Sequence, residues 1–462
     1  MRRVGGADML KHLLRGGSGI KRDSWVALLG GSGKHDSDFG NSVAIGPDGS
    51  VYVCGYTNPE NTSSSVKDGF IAKFDSSGTL QWQKILVGEY QETGNSVAVG
   101  PDGSVHVCVY QYASGGALTD CLVVKFDSSG KLQFQKALGW RLYTYGQSVA
   151  VGPDGSVYVC GYTYSADSGS RYDCFIAKLD SSGALQWEKK LHDPNAGSPD
   201  VRTNQGKSVA VGPDGSVYVC GSSSTSSFWG STNPNSNVLI AKFDSSGVLQ
   251  WQKYLDGGES EGGVSVAVGP DGSVHVCGVT NSYGAGDSDI LIAKLNSSGS
   301  IQWQKTIGES YGDESFSVAV GPDGSVYVCG NISEDGFFTK YECLIVKFDP
   351  SGTLQWQKYF DYSNDSSLAI GSDDSVYVCG SSAMGLTGWH DLLLARITDA
   401  DINQSTVVYG PFELKDVSVP TRNSYLRSET ASLSVSNTGL SVSTASLTIS
   451  DANFISKKYE GE

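Results

Sequence analysis

The chain is 462 residues long, with 49 acidic against 33 basic residues, a formal net charge of −16 and 59 glycines. An acidic balance of this size argues against docking on a nucleic-acid backbone or an anionic membrane through bulk electrostatics. No apolar run approaches the length of a transmembrane helix, so no membrane span is expected.

Residues 1–23 read as an extension. They carry Arg2, Arg3, Lys11, Arg15, Lys21 and Arg22, and their one apolar patch, 9–14, is interrupted by Lys11 and His12. The pattern lacks the apolar core of roughly 7–15 residues that a secretory signal needs. It predicts at most a short helix over 8–14 before a Gly/Ser linker, and hence folding in the cytoplasm.

From residue 24 the chain repeats. The stretch G-P-D-G-S-V-Y-V-C-G at 46–55 returns at 100–108, 152–161, 212–221, 269–278 and 321–330, and in worn form, G-S-D-D-S-V-Y-V-C-G, at 371–380. Its cysteines, Cys54, Cys108, Cys160, Cys220, Cys277, Cys329 and Cys379, lie 50 to 60 residues apart. A period of this length marks stacked supersecondary units. Within each unit, Pro-Asp-Gly between S-V-A-V and V-Y-V-C predicts a hairpin. A third strand, F-I-A-K-F-D at 70–75 and its copies, leads through an S-S-G turn to a fourth, L-Q-W-Q-K. Four antiparallel strands, A to D, make one blade, and seven blades arranged radially make a closed propeller.

The aromatic of strand D occurs six times downstream, at Trp82, Phe134, Trp187, Trp251, Trp303 and Trp356, whereas strands A to C occur seven times. The seventh is Trp25 in S-W-V-A-L-L-G-G. We therefore expect an all-β, seven-bladed propeller over 24–398, its ring closed by the N-terminal strand. These motifs resemble the bacterial seven-bladed β-propeller repeat family (SBBP-like), except that Cys stands where that family usually has Thr. The resemblance covers about 24–398 and implies a fold and little chemistry.

Ten cysteines are present. Seven occupy one repeat position, too far apart by rotation to bridge. Cys121, Cys174 and Cys343 stand near Cys108, Cys160 and Cys329 of their own blades, so buried thiols and intrablade pairs both remain open, the former in keeping with a reducing site of folding. His106 and His275 replace Tyr52, Tyr158, Tyr218, Tyr327 and Tyr377 of the other blades and read as structural aromatics. Strand C carries a repeated Lys or Arg (Lys73 to Arg396) with an acidic residue or Asn five positions earlier. Seven copies speak for structure, since an enzyme needs one site. No zinc-ligand spacing occurs, and the acidic stretches 88–94, 257–263 and 308–315 are a weak calcium reading without an ordered Asp ladder. No cofactor and no catalytic residue is assigned.

Topology puts the A–B and C–D turns on one face and the variable B–C loops and D–A connections on the other. The variable face carries Tyr110, Tyr112, Trp140, Tyr143, Tyr145, Tyr162, Tyr164, Phe228, Trp229, Tyr283, Phe337, Phe338 and Trp389 among Ser, Gly and Asn. That composition suits a recognition surface for a protein or glycan ligand; the same rings could instead cover the blade ends. The starts of strand A, Asn41, Asn95, Gln147, Lys207, Val264, Phe316 and Ser366, line the tunnel mouth, where a propeller lyase or glycoside hydrolase would place its site. Only Lys207 is ionisable there.

Residues 399–462 leave the repeat. Alternating small polar and apolar residues over 431–450 predict two or three strands. So small a segment makes a poor independent core, which points to completion by a partner chain, homo-oligomer or larger particle, or to a Ser/Thr-rich disordered tail. The near-identical repeats with such a tail also resemble virion structural proteins of tailed bacteriophages. That resemblance implies a virion or extracellular surface as the working location.

Overall fold

The structure is a computed structural model. It describes residues 24–30, 37–58, 67–88, 90–112, 120–139, 143–165, 171–193, 202–225, 236–332, 342–361, 364–382, 390–409, 412–418, 421–423, 427–430, 434–436, 441–444, 448–451 and 455–460. The expected helix and linker of 1–23 lie outside the described residues. The architecture is all-β: seven four-stranded antiparallel blades around a tunnel, beginning with blade 1 at Ser37–Ile45, Val51–Asn58, Asp68–Phe74 and Leu80–Val87. Blade 7 consists of Asn364–Ile370, Val376–Ser382, Asp391–Ile397 and, as its strand D, Trp25–Gly30. Trp25 pairs with Arg396 and Leu29 with Leu392, so the N-terminal strand closes the ring as its tryptophan predicted.

The core is divided among the blade interfaces. On strand B the period-2 alternation sends Tyr52 and Cys54 of blade 1 against Val105, Val107 and Val109 of blade 2. The pattern recurs at the seam, where Tyr377 and Cys379 of blade 7 meet Val51 and Val53 of blade 1. All ten cysteines are buried and carry no disulfide. Cys108 and Cys121 of blade 2 stand with their Sγ atoms 3.8 Å apart.

Adjacent blades are latched on the turn-bearing face. Trp82 Nε1 and Lys73 Nζ of blade 1 both donate to the carbonyl oxygen of Ser128 in the next blade's C–D turn, at 3.2 and 3.1 Å. Trp187 with Lys178, Trp251 with Lys242 and Trp303 with Lys294 repeat the arrangement on Ser245, Ser297 and Pro350. The turn glycine two residues on lies flat under the indole: at Gly130, with φ +83°, a Cβ would sit 2.9 Å from the Trp82 ring. The D-S-S-G turn thus needs glycine both for its left-handed backbone and for the close approach. Its Asp heads the turn as expected, Asp75 Oδ1 accepting from the N–H groups of Ser77 and Thr79 at 2.9 and 3.0 Å.

The strand addition expected of residues 399–462 through a partner takes place here within the chain. After the helical turn Asp399–Ile402 and the hairpin Thr406–Tyr409/Phe412–Asp416 on blade 6, the chain adds Thr421–Asn423 to blade 5 and Arg427–Thr430 to blade 4. Ser434–Ser436, Ser441–Thr444 and Thr448–Asp451 follow on blades 3, 2 and 1, and Ile455–Glu460 pairs with Trp25–Gly30 of blade 7. Every blade thereby gains an outer strand antiparallel to its strand D. The last five strands begin at 427, 434, 441, 448 and 455, a stride of seven residues, with Leu426, Leu433, Leu440, Leu447 and Phe454 recurring in the same register of the sequence.

Two predictions follow from the closure. Trp25→Ala, which empties a fully buried site at the seam, should cost about 3–5 kcal/mol in urea unfolding; a loss below about 1 kcal/mol would show that the ring does not depend on this strand. A chain ending at residue 405 bares seven outer edges, and unpaired edges template association. Light scattering should report self-association absent from the full-length chain, and a monomer with unchanged melting would refute a protective role for the belt.

Candidate functional site at the tunnel mouth

Each strand A pairs with strand B in a register that slips by one residue. The slips fall between Gly40 and Ser42, Gly94 and Ser96, Gly146 and Ser148, Gly206 and Ser208, Gly263 and Ser265, and Ser315 and Ser317. Asn41, Asn95, Gln147, Lys207, Val264 and Phe316 are therefore the extra residues of β-bulges, which re-aim a side chain out of the ladder. All six line a cavity of about 320 Å³ at the end of the tunnel. The serines that follow are engaged in the scaffold: Ser42 Oγ accepts from the Val97 N–H of the next blade at 3.2 Å, and Ser96, Ser148, Ser208, Ser265 and Ser367 do likewise. Between a serine and valine that repeat from blade to blade and the start of the strand, the bulged position is free to vary.

Blades 1 to 4 contribute a polar arc of three amides and one ammonium, and blades 5 and 6 an apolar one. Asn41 and Asn95 donate through Nδ2 to the Gly94 and Gly146 carbonyls of the following blades, at 3.1 and 2.8 Å. Lys207 Nζ lies over the Tyr162 ring, 5.3 Å from its centre, and burial lowers the pKa of its ammonium.

Tyr162 belongs to a cluster of seven tyrosines on blades 2 and 3. Tyr145 stacks on Tyr162 at 4.6 Å and on Tyr110 at 5.5 Å between ring centres. Tyr172 meets Tyr145, Tyr162 and Tyr164 edge-on at 5.8, 5.2 and 5.7 Å, and Tyr143 stands 6.2 Å from Tyr164. Tyr112 lies at the rim, 44% exposed, 6.4 Å from Tyr110. Burial pushes the Tyr110 hydroxyl up to about 12 and raises that of Tyr145 further, so both are neutral hydrogen-bonding groups at physiological pH. Blade 1 extends the aromatic arc with Phe39 stacked on Tyr56 at 4.8 Å, beneath Lys67 at 4.0 Å.

Of the thirteen aromatics singled out from the sequence, Tyr110, Tyr112, Tyr143, Tyr145, Tyr162 and Tyr164 come together, joined by Tyr172. Tyr283 does not: it packs against the core between blades 4 and 5. Trp140, Phe228, Trp229, Phe337, Phe338 and Trp389 lie outside the described residues. Phe39 and Tyr56 were missed, although each occupies the same repeat position as Tyr145 and Tyr162, beside the glycines that flank the bulge.

The repeated charges have structural roles. Lys73, Lys178 and Lys294 face Asp48, Asp154 and Asp271 of the A–B turn at 3.6 to 3.8 Å. The carboxylates five residues upstream sit near the other end of strand C, because five residues of strand rise about 17 Å. Glu92, Glu261 and Asp313 from the acidic connections accept hydrogen bonds from Gln111, from Thr280 and the Gly257 N–H, and from the Glu309 N–H. Among the described residues no three His, Cys, Asp or Glu side chains converge. The opposite tunnel end holds a larger cavity of about 550 Å³ between turn residues such as Pro47, Pro101 and Pro322. Its cation, Arg396, is neutralised by Asp373 at 2.6 Å.

With this geometry in place, comparison with known proteins gives the following. Residues 24–61 match the beta-propeller repeat family, and residues 269–301 match a beta-propeller domain of unknown function. The regulatory protein FlaEY of Caulobacter vibrioides is 32% identical over 171 residues, 31% of this chain and 18% of that protein, so the match spans less than a fifth of the relative's length. A Dyadobacter fermentans protein of unknown function has a TM-score of 0.41 at 12% identity, covering 80% of this chain and 98% of the other. An ulvan lyase of a polysaccharide lyase family gives 0.49 at 11% identity, covering 79% and 95%.

His106 and His275 are buried beside Ser104 and Ser273, whose hydroxyls lie 3.1 and 2.9 Å from Nε2. Burial first, and the charges of Lys125 and Lys294 next, depress both pKa values to about 3. The unfolded chain binds a proton at each histidine below its ordinary pKa of about 6.5, and the folded chain does not. Stability should therefore decline as pH falls from about 6.5 toward 3, by about 1.4 kcal/mol per pH unit per histidine. Replacing both with Tyr, as in the other five blades, should remove that share of the slope in urea unfolding at pH 5 and 7.

Proposed function

We propose that this chain is a non-enzymatic recognition and structural propeller that holds a protein or glycan ligand on its tyrosine-bearing face. The observation that carries the reading is the convergence of seven tyrosines from four strands of two blades onto one patch beside the tunnel mouth. Rings held by their neighbours lose little freedom on binding, and each presents a broad apolar body with a polar tip. The closed, belted ring beneath supplies a rigid support. We place the module on a virion or cell surface, since ten buried thiols allow the chain to fold without disulfides before it is assembled or displayed.

Labelled full-length protein applied to a glycan array and to a panel of intact cells tests this. Whichever ligand is retained, the double variant Tyr112→Ala/Tyr164→Ala should bind it at least tenfold more weakly, about 1.4 kcal/mol, with melting unchanged. Tyr311→Ala, an exposed tyrosine on the connection between blades 5 and 6, should have no effect. Equal loss from both sites, or loss from neither, would overturn the reading.

A further inference from the structure

We propose that the tunnel mouth binds a sugar acid, a polyhydroxylated ring carrying one carboxylate, with the carboxylate on Lys207 and the hydroxyls on the amides of Asn41, Asn95 and Gln147. The inference rests on reading the tyrosine-bearing face as the recognition face, and names the ligand class for its centre.

Charge supplies the first argument. In a chain of net charge −16, Lys207 is the one charged side chain among the described residues that line the mouth, and no carboxylate lines the cavity with it. Its close neighbour is the Tyr162 ring. A half-buried ammonium facing a cavity without a counter-charge is completed by an anion entering that cavity.

Shape and hydrogen-bonding capacity narrow the anion. Asn41 and Asn95 each hold one N–H on a neighbouring carbonyl, which fixes the amide and leaves its carbonyl oxygen and second N–H for a ligand. Three amides that both donate and accept match hydroxyl groups, which do the same. An aspartate or glutamate side chain would satisfy Lys207 and leave the amides unmatched, and unmatched polar groups are what a site uses to reject a wrong ligand. The opposite wall, Val264 and Phe316, offers apolar surface to the C–H face of a ring. The volume, about 320 Å³, lies at the small end of ligand sites and suits one sugar unit.

Ligand-observed NMR titration of the full-length chain with glucuronate, glucose, acetate and aspartate tests the proposal. Glucuronate should bind at least tenfold more tightly than each of the other three. Lys207→Met should remove that preference, and Lys207→Arg should keep part of it, both with the wild-type melting temperature. Equal binding of glucose or acetate, or an unchanged titration in Lys207→Met, overturns it. If glucuronate does not titrate while Tyr112→Ala/Tyr164→Ala still loses its array ligand, the sugar-acid site fails and the recognition face stands. If Lys207-dependent glucuronate binding survives while the tyrosine pair proves dispensable for ligand retention, the site stands and the wider face fails.

Discussion

One contact, made at five of the seven blade boundaries, holds most of the ring together: the strand D tryptophan lies on the glycine of the next blade's C–D turn and donates its indole N–H to that turn's carbonyl. The strand C lysine reaches the same oxygen, while its Nζ lies over the strand B tyrosine of its own blade, 5.3 Å from the Tyr52 ring in blade 1. At the inner radius the serine of one strand A accepts from the valine N–H of the next. At six of the seven boundaries the blades are therefore fixed to each other at two radii, and a contact repeated from blade to blade in this way has no natural end short of a closed ring. Trp25 completes it by donating to the Ser76 carbonyl of blade 1 at 3.1 Å, with Gly78 against its indole. Where strand D carries Phe134, the indole donor is missing, and Lys125 alone reaches Ser181, at 3.0 Å.

The economy of this scaffold decides where recognition can reside. Serines, lysines, turn aspartates and strand B tyrosines are engaged in holding blades together, so their repetition carries no ligand information. What varies is the residue at the bulge and the pair flanking its glycines. Both sets are polar or aromatic on blades 1 to 4 and apolar or small on blade 5, and that inequality turns a rotationally regular ring into a surface with one distinct side.

Much of this was legible in the sequence because a propeller writes its interfaces into every repeat. The motif order gave the strands, the copy number gave the blades, and one displaced tryptophan gave the closure. The belt was not legible in the same way. A strand of three or four small polar residues whose partner lies hundreds of residues upstream has no local hairpin, no buried face of its own and no turn chemistry, so it reads as a Ser/Thr-rich tail. Its signal was the seven-residue recurrence of Leu426, Leu433, Leu440, Leu447 and Phe454, a period that becomes informative once seven equivalent edges exist to receive it. The tyrosine patch was half legible: each ring could be assigned to a face, but Tyr110, Tyr145 and Tyr162 come from separate strands and meet only through the radial packing of blades 2 and 3.

Blade 7 is where all these constraints meet, and its departures from the repeat follow from that. Its strand D is borrowed from the N-terminus, and the belt ends on the outer side of the same strand, Trp25 pairing with Glu460 and Leu29 with Ser456. Trp25–Gly30 is thus hydrogen-bonded on both edges, inward to strand C and outward to the last strand of the chain, so the two termini clasp each other through one blade. Its strand C carries Arg396 where the other six blades have lysine. Arg396 turns back to Asp373 and Ser375 in its own A–B turn, at 2.6 and 3.2 Å. That turn is the worn copy G-S-D-D-S, in which Asp374 holds a left-handed φ of +63° where six blades have glycine. The guanidinium, tied to the turn from within the blade, offsets a conformation that costs a non-glycine residue on the order of 1 kcal/mol or more. Arg396 thus holds, from within its own blade, the one copy of the A–B turn that has lost its glycine.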